Sequence, residues 1–164
     1  MALLQSRLAN ARRSYTATVN VRRMGQMSAF LCHSHKDRTL AEGLQQLLKD
    51  AGVDLYIDWQ DPEMPDQPNR ETADRIKNRI AQTDRFIFLA TENSMKSRWC
   101  PWEIGIADGR KQNDHILLVP TQDARGSYYG NEYLQLYRRI DENTLRQLSV
   151  FRPGWASGTD IRMI

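Results

Sequence analysis

The segment Ser97-Arg98-Trp99-Cys100-Pro101-Trp102-Glu103-Ile104-Gly105 sets one glutamate behind two tryptophans, just after an apolar stretch. Indole faces can hold a flat ring by stacking. A carboxylate fixed by its surroundings can stabilise a positive charge that develops during a reaction. Together they describe a nucleotide-handling pocket. A second group, Cys32-His33-Ser34-His35, crowds three ligand types together. Zinc sites need four ligands, usually with a second cluster at a set spacing. The other cysteine and histidine, Cys100 and His115, are isolated in the sequence, so no metal site is expected. Glycine-rich phosphate cradles of the G-x-G-x-x-G or Walker type are absent, as is a G-x-S-x-G elbow. A phospho-acceptor domain needs acids at the first strand end and an aspartate at the third. Cys32-His33 and Leu89-Ala90-Thr91 stand there instead.

The elements that must position these residues alternate regularly. Residues Leu3 to Ala17 carry apolar groups at roughly helical spacing, and the stretch from Met24 to Met27 reads as a linker. Ser28–Cys32 is expected as a short apolar strand. Asp37 to Ala51 is expected as a helix with Leu40, Leu44, Leu47 and Leu48 on one face and Gly52 as its stop. Val53–Ile57 reads as a strand. Asp58 to Asn69 contains Pro62, Pro65 and Pro68 and must be a loop. A helix over Arg70 to Gln82, a strand over Arg85–Ala90, a helix over Pro101 to Gln112 and a strand over His115–Pro120 follow. Pro101 suits the first position of its helix, with Cys100 as cap. Glu103 is then the third helical residue, where the helix dipole favours a carboxylate. A glutamate there can also simply close a capping box, and the tryptophans can be core residues.

Past Pro120 the pattern weakens. Thr121 to Gly130 is a polar loop, Glu132 to Tyr137 a short helix, Arg139–Ile140 a brief strand, and Glu142 to Val150 a closing helix. Near-continuous apolar strands alternating with helices imply an α/β domain with a parallel sheet. Ligands of such sheets gather beyond the carboxyl ends of the strands, here Cys32–Lys36, Asp58–Asn69, Thr91–Cys100 and Thr121–Gly130.

Composition narrows the partners. The chain has 164 residues, 40% of them hydrophobic and 26% charged, with a net charge of +3. That size suits one domain with a real core, and that charge is too small to argue for nucleic acid. No apolar run is long enough to cross a bilayer. Two cysteines suit a reducing, cytoplasmic setting. No acid precedes Asp37, whereas Arg7, Arg12, Arg13, Arg22, Arg23 and Lys36 do. The expected organisation is a basic helical extension over 1–26, one domain over 27–151 and a tail over 152–164.

Four stretches resemble a known family. Ala29-Phe30-Leu31-Cys32-His33-Ser34-His35-Lys36-Asp37 resembles the first box of Toll/interleukin-1 receptor (TIR) domains. Asp54-Leu55-Tyr56-Ile57-Asp58-Trp59 resembles their second strand and the start of the BB loop. Trp99-Cys100-Pro101-Trp102-Glu103 resembles the W-C-x-x-E signature of TIR domains that cleave NAD. Gly130 to Tyr137 resembles the later part of bacterial stand-alone TIR proteins. The likeness spans about residues 28 to 150.

The resemblance implies a flavodoxin-like, three-layer fold: a central parallel sheet of four to five strands with helices on both faces. It implies cleavage of the nicotinamide–ribose bond of NAD+, which is substrate rather than cofactor, as in bacterial antiphage defence. Glu103 would be the catalytic carboxylate and Trp99 a stacking platform. His33, Ser34 and Lys36 would reach phosphate or ribose. Asp58 and Trp59 would open the loop that gates the pocket and mediates self-association, and Arg70 would meet a phosphate. The loop lacks the glycine and aromatic that some animal TIR enzymes carry there. Neighbouring protomers would complete the pocket, and a separately encoded effector would act downstream. Two other functions remain open: a non-catalytic TIR interaction module, and a nucleoside or nucleotide N-glycosidase of related architecture.

Overall fold

A computed structural model describes residues 2–15, 25–133 and 135–164. Three strands form its centre: β2 (Met27–Cys32), β4 (Arg85–Ala90) and β5 (Ile116–Gln122), each almost wholly buried. With β3 (Val53–Tyr56) and β7 (Arg138–Glu142) they make a parallel sheet in the order β3-β2-β4-β5-β7. This is the flavodoxin-like order, whose strand direction of growth reverses between β2 and β4. Burial on both faces explains the near-continuous apolar runs that mark these strands.

Alternation along each strand feeds two cores. On one face Ala29, Leu31, Ile87 and Leu89 meet Ala41, Leu44 and Leu48 of helix α2 (Arg38–Asp50). On the other, Phe30, Cys32, Phe86 and Phe88 meet Ile76 and Ile80 of α3 (Arg70–Gln82) and Cys100, Ile104 and Ala107 of α5 (Trp99–Arg110). The three-layer architecture follows from this period-2 division. Gly52, at φ +83°, ends α2 as expected. Asn69 and Thr72 close a capping box that starts α3 directly after the proline-rich loop.

The described residues of both terminal segments pack against the central sheet or its helices. Strand β1 (Leu3–Leu4) pairs in parallel with Thr121 and Gln122, and α1 (Gln5–Ala11) packs on α2. Leu3 and Leu8 are core residues. The α1–α2 crossing needs a glycine, because a Cβ at Gly43 would lie 1.9 Å from the Leu8 carbonyl oxygen. At the other end β9 (Gly158–Asp160) pairs with β8 (Leu148–Phe151), and Ile161 is fully buried. Residues 16–24, which hold the end of the expected first helix and most of the expected linker, lie outside the described residues, as does Leu134.

The expected closing helix over Glu142 to Val150 does not form. β7 turns back through Asn143 to Gln147 and pairs antiparallel with β8. The Asn143 carboxamide oxygen accepts from the N–H groups of Leu145 and Gln147, and Arg146 adopts φ 58°. Asn-centred turn chemistry and cross-strand burial of Ile140 and Val150 override the local helical spacing. The expected helix over Glu132 to Tyr137 shrinks to a 3-10 turn at Asn131–Tyr133. Two residues of the polar loop, Tyr128–Tyr129, form β6 against β5. Among the described residues no helix is long and apolar enough to cross a membrane.

Candidate functional site

The point where the sheet order reverses lies beyond Cys32 and Ala90. The turns there are tied together by a buried carboxylate, Asp37. It accepts from the Thr91 hydroxyl at 2.5 Å and from the Asn93 amide at 2.6 Å. Thr91 also caps the short helix α4 (Glu92–Met95) in a reciprocal pairing with Ser94. The two chain crossings that frame the crevice are thus held by one acid. Asp37 belongs to the first box, but its role requires a contact across 54 residues of sequence, which no local pattern carries.

Helix α5 begins two residues earlier than its sequence suggests. The Ser97 hydroxyl accepts from the N–H of Trp99 at 3.2 Å and of Cys100 at 3.4 Å. Pro101 is therefore third and Glu103 fifth in the helix. The capping-box reading fails, since Glu103 is too far along to reach the cap. Instead Cys100, Glu103, Ile104 and Ala107 share the buried stripe. An acid occupies a core position, with 7% of its surface exposed.

This placement reverses the expected electrostatics of Glu103. Burial pushes its carboxyl well above the usual carboxylate range, and nearby Cys100 and Asp58 add to the rise. A hydrogen bond with the Cys32 thiol acts the other way. The helix N-terminus was expected to favour the ionised form, but its effect is confined to the first turn. Cys32 is wholly buried and its thiol is pushed up, chiefly by burial. The Cys100 thiol, which donates to the His33 carbonyl, is drawn down by its hydrogen bond with Cys32. Two carboxyls in one site are thus driven apart, because Asp58 is held low. Burial opposes that lowering, but the hydrogen bonds with His35 and with the Trp59 N–H outweigh it. Opposed pKa shifts of this kind mark acid–base sites in many enzymes.

Asp58 joins the loop after β3 to the turn after β2. His35 Nε2 lies 2.9 Å from Asp58 Oδ2, and His33 Nε2 lies 3.6 Å from Oδ1. Trp59 stands edge-on to the His33 ring at 4.6 Å, donates its backbone N–H to Asp58 and lies under the Arg38 guanidinium. It packs against the α2-side core, so its indole is a wall rather than a free stacking platform. Ser34 caps the turn by accepting from the Lys36 N–H.

The structure therefore brings His33, Ser34, Asp58 and Trp59 into one neighbourhood, with Glu103 close enough to feel the Asp58 charge. Trp99 stands one turn before Glu103, 38% exposed, with Trp102 edge-on at 5.3 Å. Two of the residues named from sequence are not drawn in. The Lys36 side chain is exposed. Arg70 is solvated and pairs with Asp74 on its own helix. Residues that the sequence did not assign to the substrate pocket complete the setting: Cys32 and Cys100 around Glu103, His35 on Asp58, and Tyr133. The Tyr133 ring meets Phe88 edge-on, and its hydroxyl senses both cysteines.

Comparison with known proteins agrees with this architecture. The family model described as "TIR domain" matches residues 29–149. The "Probable 3' cyclic ADP-D-ribose synthase ThsB'" of Bacillus cereus (strain MSX-D12) is 36% identical over 118 residues, 71% of this chain and 61% of that protein. The "Putative cyclic ADP-D-ribose synthase TIR2" of Cytobacillus dafuensis is 27% identical over 90 residues, 52% of this chain and 23% of that protein. The chain thus spans about three-fifths of the first relative's length and under a quarter of the second's. With the match covering the sheet, its helices and the crevice between β2 and β4, the chain belongs to the TIR domain family.

Proposed function

We propose that this chain cleaves the nicotinamide–ribose bond of NAD+, with Glu103 as the catalytic carboxylate. The observation that carries the reading is a carboxyl on the buried stripe of α5, close enough to Asp58, just beyond the end of β3, to feel its charge. An acid there costs folding free energy, which among the described residues only its hydrogen bond with Cys32 offsets. A protein-binding module has no use for it, which favours the enzyme over the adaptor reading.

NAD+ carries a positive charge on its nicotinamide ring. Bringing that charge against Glu103 favours the ionised form of its carboxyl as the substrate enters. The C1′–N bond then breaks, and its electron pair neutralises the departing ring. The ribose carbon gains oxocarbenium character, as in glycoside cleavage. The Glu103 carboxylate stabilises that charge, in a setting where little water screens it. Trp99 stacks on a flat ring of the dinucleotide, and His33, Ser34, Asp58 and Trp59 line the approach. Capture of C1′ by water gives ADP-ribose. Capture by a nucleophile of the ADP-ribose itself gives a cyclic product, with release of one proton in either case. The relatives' names describe a cyclic product.

Self-association through TIR surfaces, a separately encoded effector that reads the product, a cytoplasmic antiphage role and a TIR unit over 27–151 belong to the same reading. The test is chromatography of nicotinamide and ADP-ribose products after incubation with NAD+. Wild type should release nicotinamide, and Glu103→Gln should release at least about a hundredfold less. Equal release by both proteins would exclude catalysis by this residue.

A further inference from the structure

The neighbourhood above Glu103 contains a second built feature that NAD+ cleavage does not explain. Among the described residues, His33, His35 and Asp58 each offer one ligand atom, all within 4.8 Å of one another. His33 Nδ1 lies 3.1 Å from the Leu31 carbonyl oxygen. A carbonyl only accepts, so Nδ1 carries the proton and Nε2 of the uncharged ring presents a lone pair. That Nε2 is buried, has no hydrogen-bond partner, and faces the Asp58 carboxylate oxygen at 3.6 Å. Two electron-rich atoms facing each other in a buried place repel, unless an electrophile stands between them.

We propose that His33, His35 and Asp58 bind a divalent metal ion of the zinc class. Metal bonds of about 2.0–2.2 Å bring neighbouring ligand atoms to roughly 3–3.5 Å. His35 Nε2 lies 2.9 Å from one Asp58 oxygen and His33 Nε2 3.6 Å from the other, so a small side-chain adjustment brings one atom of each residue to that span. Two imidazoles and one carboxylate suit zinc or its first-row neighbours rather than calcium or magnesium. The outer partners are also present. The Leu31 carbonyl fixes the His33 tautomer, as backbone carbonyls do for metal-bound histidines. Trp59 braces the His33 ring edge-on and donates its N–H to Asp58. His35 is 71% exposed and gives the ion a path from solvent. A fourth position remains for water or an anionic ligand. The ion would clip the loop after β3 to the turn after β2 at the mouth of the crevice. The sequence hid this site because the third ligand is an aspartate 23 residues beyond His35, on another loop.

Binding of the ion can be read without turnover. The full chain, stripped of metal with a chelator, is titrated with Co2+ and followed by visible absorption, with Zn2+ as competitor. Wild type should take up one equivalent with d–d bands of a nitrogen–oxygen site and lose it to zinc. His35→Gln changes an exposed side chain, and Asp58→Asn keeps the shape of the loop. Each should weaken binding at least about tenfold while keeping a native far-ultraviolet circular dichroism spectrum. Absence of the bands in wild type would overturn the proposal, as would unchanged affinity in natively folded variants. An intense sulfur-to-cobalt charge-transfer band would also overturn it, by assigning the metal to Cys32 and Cys100.

Discussion

Replacing Glu103 with glutamine should make the protein less active and more stable at once. The carboxyl is almost fully buried on α5, and burial raises its affinity for protons well above that of an unfolded glutamate, near 4.5. Between the unfolded and folded values the native state keeps a proton that the unfolded state has lost. Stability then falls as pH rises, by about 1.4 kcal/mol per pH unit for one such group. Glutamine carries no proton to lose and escapes the penalty. The stability of Glu103→Gln minus wild type should therefore be near zero at pH 4 and grow at that slope above pH 5. It should level off once pH passes the folded value. For a domain of this size, 1.4 kcal/mol corresponds to roughly 3–5 °C in melting temperature. Urea denaturation of both proteins at pH 5, 6 and 7 isolates the effect, because titrating groups remote from Glu103 cancel in the difference. A difference that stays flat from pH 5 to pH 7 would refute the buried-acid account of Glu103. A variant that grew more stable yet kept its nicotinamide release would uphold burial and refute catalysis.

Gly43→Ala should expel α1 from its seat, since the new Cβ falls 1.9 Å from the Leu8 carbonyl oxygen. The expected cost is about 1–3 kcal/mol in chemical denaturation, with faster proteolysis near Arg12 and Arg13. A neutral result would mean that the crossing can widen freely. Trp99→Ala should raise the KM for NAD+ about tenfold, with Trp99→Phe retaining most of the affinity, as stacking on a base is worth about 1–3 kcal/mol. If the pocket is completed between protomers, specific activity should climb more steeply than linearly with protein concentration or with a crowding agent. A strictly linear dependence over a wide range would count against self-association.

The central strands were legible because burial on both faces leaves a simple trace in the chain. Met27–Cys32, Arg85–Ala90 and Ile116–Gln122 lie within a residue or two of the expected strands. The helices α2 and α3 were legible through one apolar stripe and a clear stop or capping residue. Glu142 to Val150 misled because its leucines fit a helix, while partners that exist only after folding make it a hairpin. Leu3 and Leu8 looked like part of an appendage because nothing local shows that they fill a core built from later strands.

Residue types and local spacing determined the α/β class, the order of strands and helices in the chain, and the candidacy of Glu103 and Trp99. Each depends on neighbours within a turn or two, where periodicity and capping operate. Tertiary structure alone decided that Glu103 is buried with its carboxyl pushed up, that Asp37 ties the two turns of the crevice, and that Asp58 meets both histidines. Those outcomes depend on groups from 23 to 71 residues apart. The energy of a charge depends on everything that surrounds it in space, and a sequence lists only what surrounds it in the chain.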